Sequence, residues 1–305
     1  MPLWFVIVIL GIIEGITEFL PVSSTGHLLV AEHWLRMHQS DLFNVVIQCG
    51  AVLAVLPLFP DRLRQFVFQW RESKTQEYLL KLSVAFVITG IGGFAMEKKG
   101  FKLPDNPVPI AIAMFLGGVG FIAVETLLRK RSPKNEVTWP IVVAVGLGQL
   151  LAAGFPGTSR SGATILLALL LGLNRVAATE FTFLVGIPTM LAAGGLKIFK
   201  ALHHGTGGPP ENWSMVALGF VVAAAVSFIA VKWLLRYIQT HTFVVFGWYR
   251  VALAGLIAAL LWLAPIEAKH VQPSREKTPN TARGLAPAGG ASASGSLAGA
   301  GFLRA

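Results

Sequence analysis

Two short stretches of the chain hold most of the side chains that could do chemistry. Glu14 and Glu18 are four residues apart, which puts both carboxylates on one face of a helix. Two carboxylates in so apolar a segment are costly unless they are neutralised, paired or bound to a cation. A protonated pair, or helix ends at the headgroup level, is the alternative to metal binding or acid–base work. Carboxylates completed by waters and phosphate oxygens are what Mg²⁺ or Ca²⁺ prefers. Pro21-Val22-Ser23-Ser24-Thr25-Gly26-His27 follows directly. Its Pro and Gly break a helix, and its three hydroxyls and one imidazole can serve as nucleophile, acid or base.

The second stretch is Pro156-Gly157-Thr158-Ser159-Arg160-Ser161-Gly162-Ala163-Thr164. A Gly-rich turn opening a helix, predicted here over 163–173, offers free N–H groups at a positive dipole end, which suits phosphate. Arg160 adds a bidentate clamp for oxyanions. A salt bridge from Arg160 to Glu14 or Glu18 is the alternative, and the two are compatible. Together the stretches fit attack on a phosphoanhydride: metal and Arg hold the phosphates, while His27 and a Ser drive the displacement. His33, His38, His203, His204, His241 and His270 fall in loops or at predicted helix ends and are read as structural.

The elements that must position these groups belong to a membrane. The chain has 305 residues, 54% of them hydrophobic and only 13% charged, about half the charge density of a soluble domain. Six apolar segments, at about 43–60, 79–96, 109–127, 178–196, 214–235 and 243–264, are each long enough to span a bilayer. A soluble enzyme is excluded, as is disorder of the main body. The 25 Lys and Arg against 15 Asp and Glu, net +10, reflect basic loops facing anionic headgroups and no nucleic acid. Cys49 is the single cysteine, so no internal disulfide or thiolate metal site forms. No Lys or Arg precedes Arg36, so the apolar N-terminus lacks a signal peptide's basic region and reads as part of the mature protein.

The two reactive stretches interrupt further apolar regions, at 3–35 and 139–172. Lipid cannot satisfy the backbone groups that a break exposes, so protein or a water-filled cavity must cover it. Two re-entrant helical hairpins are the simplest arrangement. Gly11 to Pro21 (GIIEGITEFLP) also aligns with Gly146 to Pro156 (GLGQLLAAGFP). A hairpin plus three spans, repeated, gives an inverted repeat, about 1–128 and 139–264, with its site at the repeat interface. The expected fold is an all-α polytopic membrane protein: six transmembrane helices plus two re-entrant helical hairpins arranged as an inverted repeat. Residues 1–265 form the integral membrane catalytic domain, and 266–305 form a disordered tail rich in Ala, Gly and Ser. Loops 61–77, 129–138 and 232–241 share one side with ten Lys and Arg; the other side's loops carry six, apart from the tail. The richer side is predicted to be cytoplasmic, with both termini outside.

Glu14 to His27 (EGITEFLPVSSTGH) resembles the first signature of the bacterial undecaprenyl-diphosphatase family, the bacitracin-resistance proteins, and PGTSRSGAT at 156–164 resembles its second. Val45-Val46-Ile47-Gln48 and Ala178-Thr179-Glu180-Phe181-Thr182-Phe183 also look like this family. The likeness covers about residues 5–264. It implies hydrolysis of undecaprenyl diphosphate to the monophosphate, which recycles the cell-wall carrier lipid, with dependence on Mg²⁺ or Ca²⁺. It further implies residence in the bacterial inner (cytoplasmic) membrane with the active site facing the periplasmic or outer side. Carried over by motif, Glu14, Glu18, Ser24, His27 and Arg160 are expected to be catalytic, with Glu14 and Glu18 holding the metal. Ser23, Thr25, Ser159, Arg160, Ser161, Gly162 and Thr164 are expected to bind substrate. The expected partners are the polyprenyl diphosphate lipid and membrane lipids, and a homodimer is left open.

The nucleophile is either Ser24 activated by His27, slightly favoured, or His27 itself. An acid-phosphatase-like lipid phosphatase is excluded, because its pattern would put His and Asp at positions held by Leu166 and Leu170. A transporter or flippase for a polyprenyl phosphate lipid is the alternative from a different class, since inverted repeats with broken helices also build carriers.

Overall fold

The computed structural model describes residues 1–37, 39–100, 107–129, 132–204 and 212–263. His38, His270 and the tail expected over 266–305 lie outside the described residues. Within them the chain is all helical: α1 (Leu3–Thr17), α2 (Ser24–Leu35), α3 (Asp41–Val55), α4 (Pro60–Phe68), α5 (Ser73–Lys98), α6 (Val108–Leu128), α7 (Trp139–Gly154), α8 (Arg160–Leu170), α9 (Arg175–His204), α10 (Trp213–Tyr237) and α11 (Val244–Leu263). Six of these, α3 extended by a 3₁₀ turn, α5, α6, α9, α10 and α11, are long and apolar enough to cross a membrane. They coincide with the six predicted segments, and the chain is a multi-pass membrane protein.

Two differences from the expected elements have local causes. Residues 61–76, expected as a basic loop, contain the nine-residue helix α4. Pro60 at its first position and Asp61 in its first turn are both favourable helix starts. Helix α8 begins at Arg160, three residues before the predicted start, and ends at Leu170. The Ser159 side chain accepts from the Gly162 N–H and so caps the first turn, which draws Arg160 and Ser161 into the helix.

Both interrupted regions are helix–break–helix units. Residues 18–23 separate α1 from α2, and residues 155–159 separate α7 from α8; within each unit the two helices pack on one another. Helix α1 also packs on α10 and α5 on α7, while α3 packs on α10 and α5 on α9.

Close backbone approach fixes where the breaks sit. At the α1/α10 crossing, a Cβ on Gly15 would stand 2.7 Å from the Ala223 carbonyl oxygen. At the α6/α11 crossing, a Cβ on Gly118 would stand 2.7 Å from the Gly247 oxygen, and one on Gly247 would stand 2.8 Å from the Gly118 oxygen. Only a residue without a side chain permits such crossings, the usual way helices associate where lipid supplies no hydrophobic drive. The first crossing presents Glu14, beside Gly15, to the interior. The second lays α11 against α6 within reach of both breaks. Behind them lies the main core, in which Phe19 of the first break packs edge-on against Phe183 of α9 with ring centres 4.9 Å apart.

Candidate active site

The breaks meet side chain to side chain. Glu18, at the C-terminal end of α1, is buried and holds a different partner on each oxygen. Arg160 Nη2 donates to Oε1 at 2.9 Å, and Ser24 Oγ donates to Oε2 at 2.8 Å. Arg160 reaches on to α9, where Nη1 donates to the Gly186 carbonyl at 3.3 Å. The salt bridge weighed from sequence therefore forms, and it is made with Glu18.

Glu14 lies one turn back on α1, wholly buried. Neither of its oxygens completes a hydrogen bond, although Glu18, Gln48 of α3 and Arg160 are close enough to interact. A second unpartnered polar atom lies nearby, the Ser23 hydroxyl oxygen, on a residue 1% exposed. Buried polar groups are almost always hydrogen-bonded, and these oxygens have acceptor capacity left to bond a ligand.

His27 makes no hydrogen bond to Ser24 Oγ. Its Nδ1 lies 2.7 Å from the Ser23 carbonyl, and Nε2 lies 2.7 Å from the Tyr249 hydroxyl of α11, with the two rings stacked 5.6 Å apart. A carbonyl can only accept, so Nδ1 carries the proton and Nε2 accepts from the tyrosine. His27 and Tyr249 also line a cavity of about 340 Å³ walled by Ile13, Ile16, Leu20 and Phe246.

Each break ends in a serine with unusual backbone. Ser23 (φ 73°) is the N-cap of α2 and Ser159 (φ 65°) that of α8; with Arg36 they are the non-glycine residues of positive φ among those described. Such conformations cost about 1–3 kcal/mol and cluster at functional sites. Ser159 Oγ, besides capping Gly162, lies 3.2 Å from Ser161 Oγ, and Ser161 donates to the Leu20 carbonyl in the first break. Gly162 is buried in the same turn of α8.

Two of the expected binding residues lie on the helices that follow the breaks. Thr164 is buried and donates its hydroxyl to the Arg160 carbonyl at 2.7 Å, within its own helix. Thr25 is exposed in the first turn of α2.

Three residues at the site were not singled out from sequence. Gln48 borders Glu14 and falls in the Val45–Gln48 stretch, which carried family likeness but no role. Arg250 is the most telling. Fully buried in α11, it donates to the carbonyls of Pro21, Gly157 and Thr158 in the two breaks and of Ala113 and Met114 in α6. Its signal was present, an arginine in the middle of an apolar span. Tyr249 left no such signal, because a tyrosine in a span is ordinary. Glu180, in the other family-like stretch, stays outside the site: it accepts from Arg62 Nε at 2.5 Å and from Tyr78 Oη at 3.4 Å, tying α4 and α5 to α9.

No group of three or more His, Cys, Asp or Glu side chains arranged for a metal occurs among the described residues. Two adjacent carboxylates, one without partners, nevertheless fit a hard cation whose shell is completed by water and phosphate oxygens.

The sequence model of bacitracin resistance protein BacA matches residues 7–256. A protein of Rhizobium etli named undecaprenyl-diphosphatase is 52% identical over 253 residues, covering 83% of this chain and 95% of that protein. Proteins of the same name from Rhizobium johnstonii and Xanthomonas oryzae pv. oryzae are 50% and 48% identical, each again matched over 95% of its length. With a family match across most of its length and relatives half identical to it, the chain belongs to the bacitracin resistance protein BacA family.

Proposed function

We propose that this protein hydrolyses undecaprenyl diphosphate to undecaprenyl phosphate and inorganic phosphate. Family membership and relatives named for this activity support the reading. The observation that carries it is the Ser24–Glu18–Arg160 chain, which joins a hydroxyl, a carboxylate and a guanidinium across two helix breaks buried among apolar helices.

The geometry suggests the roles. Glu18 already accepts the Ser24 hydroxyl proton, so it acts as base while Ser24 Oγ attacks the terminal phosphorus. This differs from the scheme favoured on sequence, because His27 is hydrogen-bonded elsewhere. As the new Oγ–P bond forms, the bridging P–O bond breaks and undecaprenyl phosphate leaves. Water then attacks the phosphoserine and gives a proton to His27 Nε2; as the new P–O bond forms, the Ser24 Oγ–P bond breaks, Glu18 returns its proton to Oγ and inorganic phosphate is released. Nδ1–H of His27, fixed on the Ser23 carbonyl, sets the tautomer that this step requires. Arg160 and the N–H groups at the start of α8 bind the phosphoryl oxygens, where charge develops. Glu14 and Glu18 would hold Mg²⁺ or Ca²⁺, which would neutralise phosphate charge.

The helix–break–helix units are read as re-entrant hairpins of an inverted repeat. The matched serine caps and the exchange-related pairings, α1 on α10 with α5 on α7, support it. The membrane is the bacterial cytoplasmic membrane, with the site opening outward and the lipid tail remaining among the surrounding lipids.

The test is phosphate release from undecaprenyl diphosphate in detergent, with and without Mg²⁺ or Ca²⁺, for wild type, Ser24→Ala and His27→Ala. Metal-dependent release that is lost in Ser24→Ala and slowed at least about a hundredfold in His27→Ala is expected. Folded wild type that releases no phosphate would return the carrier reading to the front.

A further inference from the structure

We propose that Arg250 is a positioning residue for this reaction: its guanidinium locks the two helix breaks to one another and so keeps Ser24, Glu18 and Arg160 in register. The proposal rests on the phosphatase reading for its kinetic consequence but not for its structural one. Among its hydrogen bonds Arg250 has no carboxylate. Nη1 donates to Pro21 at 3.3 Å, and Nη2 reaches Gly157 at 3.2 Å and Thr158 at 3.0 Å. These carbonyls lie in the breaks, where the helical ladder is interrupted and backbone oxygens need donors from elsewhere. Nε and Nη2 also reach the Met114 and Ala113 carbonyls of α6, so the fork is anchored on a third element.

The surroundings are shaped to admit it. A Cβ on Gly117 would collide with the guanidinium, and one on Gly162, in the first turn of α8, would stand 2.9 Å from Nη1. The guanidinium is therefore pressed between α6 and the helix whose first residue is Arg160. A planar, rigid fork can serve several oxygens at fixed angles, whereas an ammonium offers one nitrogen. Pro21 is three residues from both Glu18 and Ser24, and Thr158 is two from Arg160. A shift of about 1 Å between the breaks would thus disturb the Glu18 hydrogen bonds, and misplacement on that scale costs about a hundredfold in rate.

The experiment combines kinetics with hydrogen exchange on the purified full-length protein. Arg250→Gln should lower kcat about a hundredfold with KM within about threefold. Arg250→Lys should recover part of that loss. Gly117→Ala keeps the arginine but displaces its fork, and should lower kcat in the same way. Added to Arg250→Lys, which has no Nη2 to strike, it should cost at most about twofold more. In Arg250→Gln the amides of 19–24 and 155–162 should exchange faster, with the spans unchanged.

Near-normal kcat in folded Arg250→Gln, or raised KM at unchanged kcat, would overturn the proposal. So would exchange that rises uniformly through α6 and α11. If Arg250→Gln does not fold, Arg250→Lys and Gly117→Ala decide by the same readouts. Wild type without phosphatase activity but with break-specific loosening in the variant would sink the phosphatase reading and leave the clamp standing.

Discussion

Glu18 presents one oxygen to a cation and the other to a hydroxyl, and each contact tests a different property. Glu18→Gln keeps the shape and can keep an oxygen towards Arg160, but it then turns an NH₂ group towards Ser24 and removes the base. We expect kcat to fall roughly 10²–10⁴-fold with KM little changed. Stability should fall too, because the buried Arg160 loses its counter-ion; losing one partner of a buried pair costs about 3–5 kcal/mol. Retention of wild-type kcat would show that Glu18 only anchors Arg160. Ser23 gives the opposite pairing of effects. Its positive φ is easier for glycine, and its buried hydroxyl has no partner in the protein. Ser23→Gly should therefore leave thermal stability equal or higher, by up to about 1 kcal/mol, while kcat/KM falls. A variant that loses stability but keeps its activity would show that the hydroxyl serves the fold and not the ligand.

Helix α11 offers a comparison within one element. Gly247 meets the Gly118 backbone at the α6 crossing, whereas a Cβ on Gly255 would meet nothing within 4 Å. Gly247→Ala should force α11 off α6, shifting Tyr249 and Arg250, so both folded yield and phosphate release should drop. Gly255→Ala should be neutral or slightly stabilising, since alanine is the better helix former. Equal behaviour of the two variants in detergent melting and activity would dismiss the crossing as the device that sets the site.

Elements of this kind were only partly legible in the sequence. The six spans could be read because each apolar run is long enough to cross the bilayer core, and both breaks because Pro, Gly and hydroxyl residues interrupt such runs. That Glu18 and not Glu14 would meet Arg160 could not be read, because it depends on how α1 crosses α10. The turning of His27 towards Tyr249 instead of Ser24 is likewise a tertiary outcome: it needs α11, more than 200 residues away, laid against the first break.

The whole molecule must also sit in the membrane in one orientation, and its basic residues predict which. The Asp61–Gln76 connection carries Arg62, Arg64, Arg71 and Lys74, while Lys98 and Lys99 end α5 on the opposite side of the span. By the excess of Lys and Arg, the first group is expected to face the cytoplasm. The site would then open outward. The single cysteine makes the test clean: Cys49 is buried against Gly194, so the background of labelling by an impermeant maleimide on intact cells should be low. Lys99→Cys should be labelled from outside, and Lys74→Cys only after the membrane is opened. Phosphate release in both variants confirms that each is folded. The reverse pattern would invert the chain and turn the breaks inward. It would also mean that the modest charge bias does not set the orientation of this chain.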